Sequence, residues 1–204
     1  MTPGEWEHYD RLLDALARRH DCTLVISREQ GATPAQLSEF QAFVNAKLPR
    51  SYRDFLEVHN GMSYEFMSNQ SEVDDPFPFP IYSLYLFGTK ESMRATNDFR
   101  NTVDAFSERE KTLIDSCIEF GNRDQVLHRL VFTTHFPRIN DEFGIFEADI
   151  DRQTWLIKLT ESIEEIELAS SFNDFVERCL AFMLRTESDF AFWNVNAEPS
   201  WDLA

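Results

Sequence analysis

Histidine, cysteine and serine, the usual catalytic side chains, show no spacing in this chain that is typical of an enzyme. None of the five histidines pairs with another as His-x-x-x-His, so a histidine metal site would need residues from distant parts of the sequence. Neither a nucleophile elbow nor a glycine-rich phosphate loop is found. We therefore predict no catalytic residues, no metal and no cofactor. His59 is expected at a helix end near the core, and His128 and His135 at the surface beside a strand.

One row of acids could perform metal chemistry. Glu147, Asp149 and Asp151 alternate along the chain, and a β-strand would place their carboxylates on one face. Carboxylate oxygens suit a divalent cation, as in a metal-dependent hydrolase. The pattern is equally that of a strand whose outer side faces water, which we favour. The three acids remain candidates for contact with a partner protein.

Two further acidic clusters are candidates for partner binding. One lies in a polar, proline-rich stretch, residues 68–80, that we predict as a surface loop or a variable insertion. Aromatic residues stand beside its acids, a combination typical of binding hot spots. The other is a glutamate run that either faces water or mimics phosphate charge in front of a basic cleft. The candidate residues are Glu72, Asp74 and Asp75 in the loop and Glu161, Glu164 and Glu165 in the run.

The bulk composition favours a globular protein without membrane spans. Hydrophobic residues make up 43% of the 204 residues and aromatic residues 14%, which is enough for a packed core. No stretch is long and apolar enough to span a bilayer, and the N-terminus lacks a secretory pattern, so we expect a cytoplasmic location. Cys22, Cys117 and Cys179 lie far apart, which favours buried, reduced thiols over disulfides.

The formal net charge of −17 is unevenly distributed. Residues 141–204 hold 15 acids and 4 bases, so −11 of the charge lies in the last third of the chain. Such a surface repels a phosphate backbone, which disfavours nucleic-acid binding. It would attract a basic protein and speed their association. High acidity is also common in proteins that merely stay soluble.

The first third of the chain predicts helices around a short strand. Residues 5–19 have an apolar face that includes Trp6 and Leu12, and residues 23–27 are predicted as an edge strand. Thr33, Pro34 and Gln36 form a capping box with proline at the first helical position. The helix that follows should turn Leu37, Phe40, Phe43 and Val44 towards the core.

The rest of the chain predicts strands between further helices. A helix should begin near Ser51 and end at Asn60-Gly61. We predict Gly121-Asn122 as a turn, and a final helix over residues 172–184 capped by Ser171. Further strands are expected over residues 81–87, 117–120, 129–133, 143–149 and 154–159, with helices after Gly88 and Ser107. This order indicates an α+β fold with a mainly antiparallel sheet flanked by helices.

Three parts of the chain resemble the N-terminal signature of the SUKH superfamily. They are the residues from Gly31 to Phe40, the stretch Leu48-Pro49-Arg50-Ser51-Tyr52-Arg53-Asp54-Phe55-Leu56 and the triplet His59-Asn60-Gly61. Ile118-Glu119-Phe120-Gly121 is similar to its strand-and-glycine segment, and Ser171-Phe172-Asn173-Asp174-Phe175 to the start of its last helix. The resemblance implies a SUKH-like domain over residues 30–185, preceded by an extension over residues 1–29 and followed by an aromatic tail over residues 186–204.

The resemblance also implies a function. Many bacterial members look like immunity proteins that block a cognate toxin, often a nuclease or a deaminase, and fungal relatives regulate cell-wall synthesis. The family implies no catalytic residues and no cofactor. We therefore expect a non-catalytic protein that neutralises a basic toxin by binding and occluding it, without contact to nucleic acid or membrane. The alternative is a regulatory or scaffold protein with a non-toxin partner.

Overall fold

The computed structural model describes residues 1–19, 22–68, 80–102, 107–123, 128–137, 139–148 and 167–185. Within these ranges lie six α-helices and six strands. The helices are α1 (Pro3–Arg19), α2 (Pro34–Val44), α3 (Arg50–Val58), α4 (Thr89–Thr102), α5 (Glu108–Ser116) and α6 (Phe172–Arg185). The strands are β1 (Cys22–Arg28), β2 (Met62–Ser68), β3 (Pro80–Leu86), β4 (Cys117–Arg123), β5 (His128–Pro137) and β6 (Phe143–Ala148).

The six strands form one sheet in chain order, and every neighbouring pair is antiparallel. Helices lie before, within and after this meander, so the predicted α+β class with a mainly antiparallel sheet is confirmed. Among the described strands, β1 forms one edge of the sheet and β6 the other. Ala169 adds a single bridge beyond β6 to Ile145.

The two faces of the sheet are covered differently. The inner face, to which Tyr64, Leu84 and Phe132 belong, is buried in the main core with apolar side chains of α1, α2, α3 and α6. The outer face is covered at β5 and β6, where Val131 and Phe146 pack with residues of α4 and α5. Burial on both faces explains why all seven residues of β4 are inaccessible.

Several predicted elements are confirmed at the level of single contacts. The Thr33 hydroxyl accepts the Gln36 backbone N–H, and the Gln36 side chain accepts the Thr33 backbone N–H at 2.8 Å, which completes the capping box. Ser171 caps α6 through the N–H of Asp174. The predicted apolar stripe of this helix is fully buried: Phe172, Phe175, Val176, Cys179, Leu180 and Met183.

Two side chains that were predicted to lie in the core are partly exposed. Leu12 and Phe43 were expected in the core, but 39% and 37% of their surfaces are exposed. Helix α3 ends at Val58, and its C-cap His59 is extended, directly before Asn60-Gly61. Gly61 has a φ of +124°, which other residues rarely adopt, at the entry to β2.

Gly121 and Asn122 do not form the predicted turn, because both lie inside β4 next to a register shift between Glu119 and Gly121. The glycine is needed for a close approach between strands. A Cβ atom at Gly121 would lie 2.3 Å from the Tyr85 carbonyl oxygen of β3. A glycine inside a strand often marks such an approach or a bulge.

Helix α4 replaces β3 as the neighbour of half of β4. Strand β3 pairs with β4 only from Leu84 to Leu86, and the last backbone contact is the Phe87 N–H to the Phe120 carbonyl at 2.8 Å. Beyond this contact, three side chains of α4, spaced one helical turn apart, form hydrogen bonds with the backbone of β4. Ser92 donates to the Glu119 carbonyl, Thr96 accepts the Glu119 N–H at 3.0 Å, and Arg100 donates to the Cys117 carbonyl at 3.1 Å.

The contact from Thr96 can be tested by Thr96→Val, which keeps the side-chain shape and removes the acceptor. The buried Glu119 N–H then lacks a partner, so the free energy of unfolding should fall by about 1–3 kcal/mol. Urea unfolding measures this difference. The matched control is Thr112→Val on the exposed side of α5, which should change stability by less than about 0.5 kcal/mol. Equal effects of the two substitutions would contradict the role of Thr96.

Candidate partner-binding surface

Of the nine acids predicted to bind a partner, Glu147 is the one that falls within the described residues. It lies in β6, and its side chain is 19% exposed. The eight others fall outside the described residues, as do the predicted strand over 154–159 and the tail over 186–204. They are Glu72, Asp74, Asp75, Asp149, Asp151, Glu161, Glu164 and Glu165. Partner binding by the nine acids therefore stays a prediction.

Glu147 forms an ion pair with an arginine inside the protein. The Arg123 side chain is 1% exposed, and its Nε donates to the Glu147 carboxylate at 2.7 Å. Both residues lie on the inner face, where Arg123 pairs with Leu84 and Glu147 pairs with Leu130. A buried arginine without a counter-charge would be strongly destabilising. The first acid of the predicted row thus has a structural role in the sheet.

A second charged cluster joins the outer face to α4. Glu119 is 4% exposed, and its carboxylate accepts from Arg129 at 3.3 Å. Arg129 also donates to Asp98 of α4 at 3.0 Å, and its guanidinium lies 6.0 Å from the ring centre of Phe99. Burial raises the pKa of Glu119 to about 7, although Arg129 opposes the shift.

A third cluster fastens α1 to the edge of the sheet. The Asp10 carboxylate accepts from Arg28 of β1 at 2.6 Å and from the Tyr64 hydroxyl of β2 at 2.9 Å. Burial and the neighbouring Asp10 charge raise the pKa of the Tyr64 hydroxyl. Because the three residues belong to three elements, the cluster fixes the N-terminal helix relative to the first two strands.

His59 and the three cysteines occupy structural positions within the described chain. His59 follows α3 and packs its ring against Trp6 and Phe55, both at 6.1 Å, so its predicted place at a helix end near the core is confirmed. His135 is exposed. The three cysteines are buried thiols, as predicted. No group of three or more His, Cys, Asp or Glu side chains among the described residues could hold a metal ion.

The surface best suited to contact a partner is the part of the outer face of β1 to β3 that surrounds Val25, whereas Ser63 and Ser83 on the same face are buried. Val25 is 43% exposed, Ser27 is exposed, and Glu65 and Tyr85 are half-buried. The register places Val25 opposite Glu65, and Ser63 opposite both Ser27 and Tyr85. Partial burial, together with the hydrogen bond to Glu65, raises the pKa of the Tyr85 hydroxyl to about 12. Apolar, aromatic and charged groups thus lie side by side, as at binding surfaces.

Sequence reasoning missed this surface because it did not predict β2. The signal was present in the chain: Met62, Tyr64 and Phe66 alternate with more polar residues, which is the pattern of a half-buried strand. The three side chains are in fact buried on the inner face. The residues between them, Ser63 and Glu65, supply the outer face.

The raised pKa of Glu119 predicts how stability depends on pH. Between the ordinary pKa of 4.5 and about 7, the unfolded chain loses this proton while the folded protein retains it. Stability therefore falls as pH rises through this range. Relative to Glu119→Gln, which has no proton to lose, the free energy of unfolding should decrease by about 2–3 kcal/mol between about pH 4.5 and pH 7.

Urea unfolding of both proteins at several pH values measures the difference. Glu39→Gln, at an exposed position of α2, is the control and should leave the pH profile close to that of the original protein. Parallel profiles for the original protein and Glu119→Gln would contradict the prediction.

No helix among the described residues is long and apolar enough to cross a membrane.

Comparisons with known proteins place the chain in a family. A search of curated protein sequences found no significant match. The sequence profile of the SMI1 / KNR4 family (SUKH-1) matches residues 31–178, from the loop before α2 into α6. Since the match covers well over half of the sequence, the chain belongs to the SMI1 / KNR4 family (SUKH-1).

Proposed function

We propose that this protein is an immunity protein that neutralises a cognate bacterial toxin in the cytoplasm, by binding the toxin and blocking its active site. Membership of the SUKH-1 family is the observation that carries the proposal. The family is generally non-catalytic and is consistent with a protein that acts by binding another protein. Three ion pairs of the described residues agree with this role, because each joins two elements of the fold: Arg28 with Asp10, Arg123 with Glu147 and Arg129 with Glu119.

The distribution of charge supports a basic partner, such as a nuclease or deaminase toxin. The described residues hold 21 acids and 16 bases, whereas the remaining residues hold 15 acids and 3 bases. The described part of the chain is therefore nearly balanced, and −12 of the total charge of −17 lies in the remaining residues. Eight of the nine predicted partner-binding acids lie outside the described residues and contribute to this negative charge.

The mechanism of the proposed inhibition is steric blockade after charge-guided association. A surface of one sign attracts a partner of the opposite sign over several ångströms and raises the association rate. Close packing across the interface then determines how long the complex lasts. No bond needs to form or break.

Co-expression with the toxin domain encoded beside this gene tests the proposal directly. The toxin alone should stop growth, and the pair should restore it. Purified proteins should form a stable complex that inhibits the toxin at equimolar concentration. Failure to bind and failure to rescue would together contradict the proposal. Stable complexes with other cellular proteins, without a toxin gene nearby, would favour the regulatory or scaffold alternative.

The electrostatic part of the mechanism predicts a dependence on salt. Raising the ionic strength from about 0.05 M to about 0.5 M should lower the association rate constant by about tenfold or more, because screening shortens the reach of the charges. The dissociation rate constant should change much less. Stopped-flow measurements with the purified toxin domain separate the two. An association rate that does not vary with salt would contradict charge guidance while leaving inhibition by blockade intact.

A further inference from the structure

Strand β1 forms an edge of the sheet among the described strands. All seven of its residues pair with β2 without a register shift, from Cys22 opposite Ser68 to Arg28 opposite Met62. In the sheet formed by the described strands, β1 has a neighbour on one side only. An edge strand of this kind carries backbone N–H and C=O groups that can pair with a strand of another chain.

The register identifies the residues whose backbone groups point outwards. The Glu29 N–H donates to the Gly61 carbonyl at 3.0 Å, on the same register as the strand pairs. In an antiparallel pair, residues bonded to the partner strand alternate with residues whose N–H and C=O point away. Val25 therefore bonds towards β2, whereas Leu24 and Ile26 direct their backbone groups to the open edge.

The sequence of β1 lacks the usual protection of an edge. Natural proteins block exposed edges with lysine, proline, bulges or inward-pointing charges. From Thr23 to Ser27 the strand has no charge, no proline and no glycine. At its centre Val25 is 43% exposed on the outer face. An edge strand with such a sequence invites aggregation unless it has a function.

The net charge of the whole chain favours a basic occupant of this edge. A second copy of the chain would bring two net charges of −17 together, which opposes pairing between copies. A basic chain would be attracted. We propose that β1 is the site of strand addition by the partner: an extended segment of a basic protein pairs with β1 and continues the sheet. This assignment rests on the proposed function, since it locates the contact with that same partner.

Two valine substitutions test where the partner binds. Val25→Lys adds a positive charge beside the incoming strand and should weaken binding of the toxin domain at least about tenfold. Val58→Lys is the matched control on α3, because Val58 is also 43% exposed. It should weaken binding less than about threefold. Thermal unfolding of both variants checks that each is folded. Equal effects of the two substitutions would overturn the assignment.

Amide hydrogen exchange, followed residue by residue by NMR, distinguishes pairing of the backbone from contact through side chains. Upon addition of the toxin domain, exchange at Leu24 and Ile26 should slow at least about tenfold, and that at Val25 much less, since its N–H is already bonded. A complex that leaves Leu24 and Ile26 unchanged would overturn strand addition and leave the proposed function standing. If the toxin domain forms no complex, the proposed function and the occupant assigned here both fail.

Discussion

The fold depends on one buried tyrosine, Tyr52, which lies where the neighbour of strand β4 changes from β3 to helix α4. The Tyr52 ring is inaccessible and lies 5.1–6.4 Å from rings of α2, β4, β5 and α6. Its hydroxyl donates to the Phe87 carbonyl at 2.8 Å, just after β3. Burial without this bond would cost free energy, and the ring contacts alone would not fix where β3 leaves the sheet. One side chain thus joins the helical layer to the point at which α4 takes over from β3.

Beyond that point, side chains form the hydrogen bonds to β4 that the backbone of a neighbouring strand would otherwise form. Asn60 accepts the N–H of Thr89 at 2.8 Å and so holds the first turn of α4. The helix then presents Ser92, Thr96 and Arg100 to β4. Helices α4 and α5 together cover the outer face at β5 and β6. On the outer face of β1, beyond this cover, Val25 remains exposed.

Sequence reasoning succeeded where the determining contacts are local. The capping box at Thr33 and the stripe of α6 depend on residues three or four positions apart, and both are confirmed. Gly121 was misread because its reason is distant: the carbonyl of Tyr85, 36 positions earlier, leaves no room for a Cβ. Arg123 and Glu147 are also distant in sequence, 24 positions apart, so the sequence could propose the acid but not its partner. The α+β class was nevertheless predicted correctly, because this prediction depends only on the order of helices and strands along the chain.

The cluster of Asp10, Arg28 and Tyr64 crosses the boundary of the family match. Asp10 and Arg28 belong to elements that precede the match, which begins at residue 31, and Tyr64 lies inside it. The seven residue pairs between β1 and β2 cross the same boundary, as does the contact of Trp6 with Phe55. A chain shortened to the matched residues would lose all of these contacts and expose part of the main core, so α1 and β1 are integral to this fold.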